Sequence, residues 1–202
     1  SARKAAITAR ELAAMIAAAD GQGTRAIRDR AILALGLAAA LRRSELVALE
    51  WRDVEMVDKG LKLTLRHSKT DQEGAGEKRG LPYGSDKRTC PLRALKAWLV
   101  EAKLEAGPVF RAVDRHGRMA AKPLSGRSIA RIIKRACHTA GLEAARYSGH
   151  SLRAGLVTAA AKAGKSTHAI MRQTGHRSVA MVARYVRAAQ LFDDNAAAGI
   201  GL

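Results

Sequence analysis

His150 and Arg153 stand one helical turn apart in Ser148-Gly-His-Ser-Leu-Arg153. On a helix, positions i and i+3 share a face, so the imidazole and the guanidinium point the same way. Farther on come Gly175-His176, then Ser178, then Tyr185, nine residues after that histidine. The glycine ends one helix, and the serine is placed to cap another that carries the tyrosine. Upstream stand the pair Arg42-Arg43, Glu45, and Lys69 in a polar stretch. Metal-free cleavage of a phosphodiester needs an in-line nucleophile, cations for the oxygens of a five-coordinate phosphorus, and an acid for the departing sugar oxygen. A metal-dependent nuclease would instead show clustered carboxylates or a His/Asp ligand pattern, which this sequence does not show. Each part alone has a plainer reading. A lone HxxR arises by chance in a basic chain, and a helix tyrosine is ordinarily a packed aromatic. Arg42-Arg43 suits a helix C-terminus as a charge pair, and a loop lysine is ordinarily solvated.

These residues must be held by a mainly helical chain. Thr8 and Glu11 form a capping box ahead of Leu12, Met15 and Ile16, which predicts a helix over about 8–19. A longer apolar helix follows over about 24–40, with Arg42 at its end and a short helix through Glu45, Leu46 and Leu49. Leu61, Leu63 and Leu65 alternate with Lys62 and Thr64, the period-two signature of a half-buried strand. With a short strand near 54–56 and a returning strand over 78–83, joined by a Gly-rich hairpin loop over 71–76, this makes a small three-stranded antiparallel sheet. Helices resume at about 91–106, 125–140, 150–163, 166–174 and 178–187. The fold class expected is therefore α+β, mostly α.

On the helix over 125–140, Arg127, Arg131, Lys134, Arg135 and His138 fall on one side, and Ile129, Ile132, Ile133, Ala136, Cys137 and Ala140 on the other. Such a helix docks one face on a core and offers the other to a DNA major groove or simply to solvent. Composition leans toward the first. Lys and Arg number 36 against 18 acidic residues, a formal net charge of +18, which calls for a polyanionic partner; ribosomal and chromatin proteins meet the same charge. Aromatics make up only 3%, too few for a single-strand binder that stacks bases on exposed rings. Cys90 and Cys137 sit in no CxxC or Cys/His cluster, so neither zinc nor a disulfide framework is indicated, and a reducing cytosol suits them. The sequence holds no apolar run long enough for a bilayer.

Taken in order, Arg42-x-x-Glu45, Lys69, His150-x-x-Arg153, Gly175-His176 and Tyr185 resemble the signature of the tyrosine recombinase (phage-type integrase) family. The local contexts match as well: Ala40-Leu-Arg-Arg-Ser-Glu-Leu-Val-Ala-Leu-Glu-Trp-Arg-Asp53 resembles its first arginine box, and Ser68-Lys-Thr70 its lysine hairpin. Ser148 to Arg153 resembles its second box, and Ala183-Arg-Tyr185 its nucleophile segment. The likeness covers about residues 25 to 190, and five ordered motifs are specific where one would be weak. Ala40 departs from the family's usual glycine, and Thr174 from a commoner leucine. The segment from Ser148 to Met171 is similar to the Cre subgroup, in which Cre itself carries tryptophan at the position of His176.

The resemblance implies the catalytic-domain fold of that family and a set of roles. Tyr185 would attack the scissile phosphate, leaving a 3′-phosphotyrosyl link and a free 5′-hydroxyl. A phenol titrates near ~10, so it needs a proton acceptor, for which His150 is placed. Arg42 and Arg153 would hold the non-bridging oxygens, His176 would donate a further hydrogen bond, Lys69 would protonate the leaving oxygen, and Glu45 would orient its neighbours. No metal or cofactor is implied. Arg43, Arg127, Arg131, Lys134 and Arg135 are the expected DNA contacts, with Arg127 the candidate base reader. Double-stranded DNA is the implied partner, bound by a tetramer on two sites in the cytoplasm. The whole chain is expected to be one catalytic domain without the family's N-terminal clamp domain. Residues from about 188 would form a tail that packs on a neighbouring subunit or frays. A type IB topoisomerase and a catalytically silent DNA-binding module remain as rivals.

Overall fold

The computed structural model describes residues 4–19, 23–66 and 76–189. The capping box predicted at Thr8 opens the first helix, α1 (Ala9–Ala18): Thr8 Oγ1 accepts from the Glu11 amide at 3.1 Å, and Glu11 Oε2 from the Thr8 amide at 2.7 Å. The long apolar stretch becomes α2 (Thr24–Ala38), with every residue from Ala31 to Gly36 buried. It ends two residues before the sequence reading. Leu41 N–H returns to the Gly36 carbonyl at 3.0 Å and Ala40 N–H to that of Leu37 at 3.0 Å, with Ala40 at φ +50°. This is a Schellman end, whose left-handed position favours glycine. The glycine usual there in the family thus has a backbone reason, and Ala40 occupies the same conformation with a Cβ.

Arg42 therefore does not close a helix. It stands at the start of the next one, α3 (Arg43–Ala48), so the reading of Arg42-Arg43 as a C-terminal charge pair is corrected. A 3-10 turn (Trp51–Asp53) leads into β1 (Val54–Val57), β2 (Gly60–Leu65) and β3 (Glu77–Leu81), paired antiparallel in the order β1-β2-β3. Leu61, Leu63 and Leu65 all face the core, as their alternation predicts. The register pairs Leu63 with Arg79 and Leu61 with Leu81, so Arg79 points inward beside leucines. The predicted hairpin loop lies almost wholly outside the described residues.

Helix α4 (Pro91–Glu101) stops five residues earlier than expected. Lys103 adopts φ +47°, and Leu104 N–H bonds the Leu99 carbonyl at 3.1 Å, a second Schellman end that no glycine announces. Beyond it a two-stranded ribbon, β4 (Arg111–Val113) with β5 (Met119–Pro123), was not read in the sequence. The remaining helices are α5 (Gly126–Thr139), α6 (Gly149–Lys162), α7 (Thr167–Thr174) and α8 (Val179–Ala189).

One main core gathers Ile32, Leu35, Leu41, Leu46, Trp98, Phe110, Ile133 and Leu152 among others. Fully burying such a side chain stabilises by about 1.5–3 kcal/mol. Helices α2 and α6 meet closely at Gly36, where a Cβ would sit 2.9 Å from Leu152 Cδ1. The chain ahead of α1 is laced onto α6, with Ile7 N–H bonding the Ser151 carbonyl at 3.0 Å. A second, smaller apolar cluster stands apart: Val157 and Ala161 of α6, Ile170 of α7 and Val182 of α8. The architecture is mainly helical with a small three-stranded antiparallel sheet, as the sequence predicts.

Candidate active site

The two arginine boxes converge on the end of α2. Arg42 donates its backbone N–H to Glu45 Oε2 at 2.8 Å and its Nη1 to Glu45 Oε1 at 2.5 Å. Glu45 is 4% exposed, so a buried carboxylate fixes the guanidinium that begins α3. From α6, Arg153 donates Nη1 to the Ala40 carbonyl at 2.9 Å. Arg153 is 3% exposed, and its Nη2 finds no hydrogen-bond partner among the described residues. A buried, charged donor without a partner is rare in folded proteins and calls for an explanation. His150 lies one turn earlier on α6, on the exposed side. Across the start of α6 lies the side chain of Arg43: a Cβ on Gly149 would be 2.4 Å from Arg43 Cδ.

The third segment arrives from α7. Its Thr174 hydroxyl donates to the Ile170 carbonyl at 2.7 Å, and His176 Nδ1 lies 2.6 Å from the same oxygen. With the hydroxyl proton committed to Ile170, Thr174 accepts from Nδ1–H, and Nε2 is left as the basic nitrogen of the ring. Between them Gly175 turns the chain at φ +64°, and a Cβ there would lie 2.8 Å from Glu77 Oε2 and 2.9 Å from Arg79 Nη2. Only glycine fits both the conformation and the approach.

The electrostatics are those of crowded cations. Burial, then the charges of Arg153, Arg42, Arg79 and His150, push His176 down to about 4. Desolvation, then Arg153, Arg42 and Arg43, lower His150. Both rings are therefore neutral at pH 7. Burial, then Arg42 and Arg79, bring Arg153 down to about 10, opposed by Glu45 and Glu77; it stays charged. A site that discharges its own histidines by burial and by neighbouring cations is arranged to receive an anion.

Arg42, Glu45, His150, Arg153 and His176 are thus brought into one electrostatic neighbourhood. Tyr185 is carried on α8, its ring packed against the small cluster of Val157, Ile170 and Val182. Lys69 lies outside the described residues. On α5 the predicted faces are realised: Ile129, Ile132, Ile133, Ala136 and Cys137 are buried, while Arg127, Arg131, Lys134, Arg135 and His138 are exposed. Arg135 is also drawn into a close ion pair with Asp29 of α2, which already binds Arg28 at 2.7 Å.

Two residues of this neighbourhood escaped the sequence reading. Thr174 registered only as a departure from leucine, yet its hydroxyl orients the ring of His176. Arg79, 1% exposed, donates Nε to Glu77 at 2.8 Å, Nη1 to the Ala39 carbonyl at 2.7 Å and Nη2 to the Thr174 carbonyl at 3.4 Å. Its Nη1 also lies 3.8 Å from Glu45. The available signal was its place two residues before Leu81, a charge on the apolar side of an alternating strand.

The sequence profile of the phage integrase family matches residues 5–191, and the chain belongs to that family. It is 41% identical over 177 residues to an integrase/recombinase XerD homologue of Selenomonas ruminantium, covering 88% of this chain and 52% of that protein. It is 30% identical over 191 residues to the tyrosine recombinase XerD of Xanthomonas axonopodis pv. citri (strain 306), covering 92% and 59%. The chain thus spans little more than half the length of these relatives. In fold it matches the XerA recombinase crystal structure at TM-score 0.68 and 20% identity, over 92% of this chain and 59% of that one. It also matches XerH site-specific recombinase bound to a palindromic difH substrate at 0.70 and 16%, over 96% and 51%.

Proposed function

We propose that this chain is the catalytic part of a site-specific DNA recombinase that breaks and rejoins duplex DNA through Tyr185. The observation that carries the reading is the buried, unpartnered Nη2 of Arg153 in a neighbourhood of Arg42, Arg79 and two discharged histidines. A phosphodiester supplies what that neighbourhood lacks: a negative charge and acceptor oxygens for two guanidiniums.

The Tyr185 oxygen attacks phosphorus and its proton passes to His150, whose depressed basicity keeps it neutral and ready to accept. Arg42 and Arg153 hold the non-bridging oxygens as charge gathers on them. His176 takes up a proton from solvent at Nε2 as the phosphate binds and donates it to the phosphate as a hydrogen bond. The bond from phosphorus to the 5′-oxygen breaks, and Lys69 delivers the proton that makes a 5′-hydroxyl. The tyrosyl phosphodiester conserves the bond energy, so the reverse attack by a 5′-hydroxyl reseals the strand without ATP. Arg43 and the exposed face of α5 lie along the duplex, with Arg127 reading a base and Arg131, Lys134 and Arg135 meeting phosphates.

The reading makes the partners double-stranded DNA and other copies of the chain, four on two sites. It draws support from solved relatives described as XerH bound to difH substrate and a lambda integrase tetramer bound to a Holliday junction. It places the protein on DNA in the cytoplasm; among the described residues no helix is long and apolar enough to cross a membrane. The reading makes the chain one catalytic domain; the tail expected from about 188 lies almost wholly outside the described residues.

The test is covalent trapping. The protein is mixed with a library of nicked duplexes, and a denaturant-resistant adduct is sought by gel and mass spectrometry. An adduct on Tyr185 that disappears in Tyr185→Phe, with DNA affinity kept within about twofold, is the expected result. Tight binding without an adduct would leave a silent DNA-binding module. Supercoil relaxation by a monomer on arbitrary plasmid would favour topoisomerase chemistry.

A further inference from the structure

We propose that Arg79 is the positioning residue that sets the distance between the arginine boxes and His176. This deepens the recombinase reading and rests on it. One guanidinium touches all three segments that build the site. Through the Ala39 carbonyl it holds the turn whose next carbonyl, Ala40, receives Arg153. Through Glu45 it faces the carboxylate that fixes Arg42. Through the Thr174 carbonyl it holds the last residue of α7, whose hydroxyl orients His176. Glu77 takes its remaining edge at 2.8 Å, and the Gly175 backbone rests against this pair.

Burying a guanidinium at 1% exposure carries a large desolvation penalty. On that face its own strand places Glu77 and Leu81 beside it, and Leu63 is its partner in register. A core chosen for stability alone would place a leucine there. The planar fork instead aims at oxygens on three separate segments, a geometry that a lysine ammonium cannot copy. Each guanidinium nitrogen of Arg79 is already bonded to Glu77, Ala39 or Thr174, so its effect passes through the groups that it holds.

The groups that face His176 are Arg42, Arg79, Arg153 and His150, with Glu77 and Glu45 bound to Arg79. Removing the Arg79 charge takes away a repulsive cation and leaves two carboxylates less compensated. Both changes raise the pH at which His176 titrates.

The experiment uses Arg79→Lys and Arg79→Met in the full chain. It reads thermal melting, the His176 imidazole titration by NMR, and cleavage and binding of the duplex selected by covalent trapping. Arg79→Lys is expected to melt near the parent and to bind DNA within about threefold. It is expected to cleave about ten- to a hundredfold more slowly, the scale of an ångström-sized misplacement. Arg79→Met is expected to move the His176 titration upward from about 4. Parental cleavage by Arg79→Lys would overturn the proposal, as would an unmoved His176 in folded Arg79→Met. Should Arg79→Met not fold, Arg79→Lys decides alone; should neither fold, Arg79 is a core ion and the proposal falls. A parent that forms no adduct would defeat the recombinase reading instead, and the titration would still test Arg79.

Discussion

The discharged state of His176 has a measurable thermodynamic consequence. In the folded chain its ring titrates at about 4, against 6.5 for a free histidine. The unfolded chain therefore takes up a proton first as the pH falls. Stability from this group is fully present above pH 6.5 and is lost progressively down to about pH 4. The interval corresponds to about 3 kcal/mol, with a slope approaching ~1.4 kcal/mol per pH unit in its middle. Replacing the ring by an amide in His176→Asn removes the titration while leaving a donor near Thr174 Oγ1. The assay is urea unfolding of parent and variant at half-unit steps from pH 7.5 to 4. His150 is lowered too but is common to both proteins, so the difference curve reports His176. The parent is expected to lose about 3 kcal/mol more than the variant across the window. Parallel curves would refute the argument that burial and the surrounding guanidiniums hold the ring neutral. Saturating duplex should shrink the difference, because the phosphate restores the ring's affinity for a proton.

Other outcomes follow from single contacts. Arg153→Lys keeps a cation near the Ala40 carbonyl but loses the second donor, and should lower single-turnover cleavage about 10²–10³-fold with a smaller change in DNA affinity. Gly155→Ala drives a Cβ to 2.1 Å from the Ile7 carbonyl oxygen, and urea unfolding should show a loss of about 1–3 kcal/mol as the N-terminal segment is pushed off α6. Arg127→Ala should relax discrimination at one base pair by about 1–3 kcal/mol in competition binding with substituted duplexes. Arg135→Ala should instead lower stability as well as affinity, since it leaves Asp29 with Arg28 as its remaining ion-pair partner.

The sequence carried the family in its order of motifs and the scaffold in its local periodicities. Leucines at 61, 63 and 65 announced a strand, and the two-faced pattern over 125–140 fixed which side of α5 is buried. Both signals are local, which is why they survive without tertiary knowledge. The misses are the opposite kind. Lys103 ends α4 in a left-handed turn that nothing in its side chain announces. The ribbon of β4 and β5 is too short for a period to emerge, and its strands contain few β-branched residues. Arg79 matters because of carbonyls supplied by distant segments, as does Arg135 through Asp29. Partners forty to a hundred positions away leave no trace in spacing. The position of Lys69 is legible only in the motif order, since it falls outside the described residues.

The small second apolar cluster bears on how Tyr185 is held. Helix α8 buries Val182 against Val157, Ala161 and Ile170, and Tyr185 packs beside them, while the large core secures the arginines from α2, α3 and α6. Cooperative units with few apolar contacts open at a fraction of the global unfolding free energy. Tyr185 is thus held by a smaller apolar cluster than the one that holds α2, α3 and the start of α6. Hydrogen exchange should register this as an α8 that exchanges well ahead of α2, so that the two clusters open at different free energies.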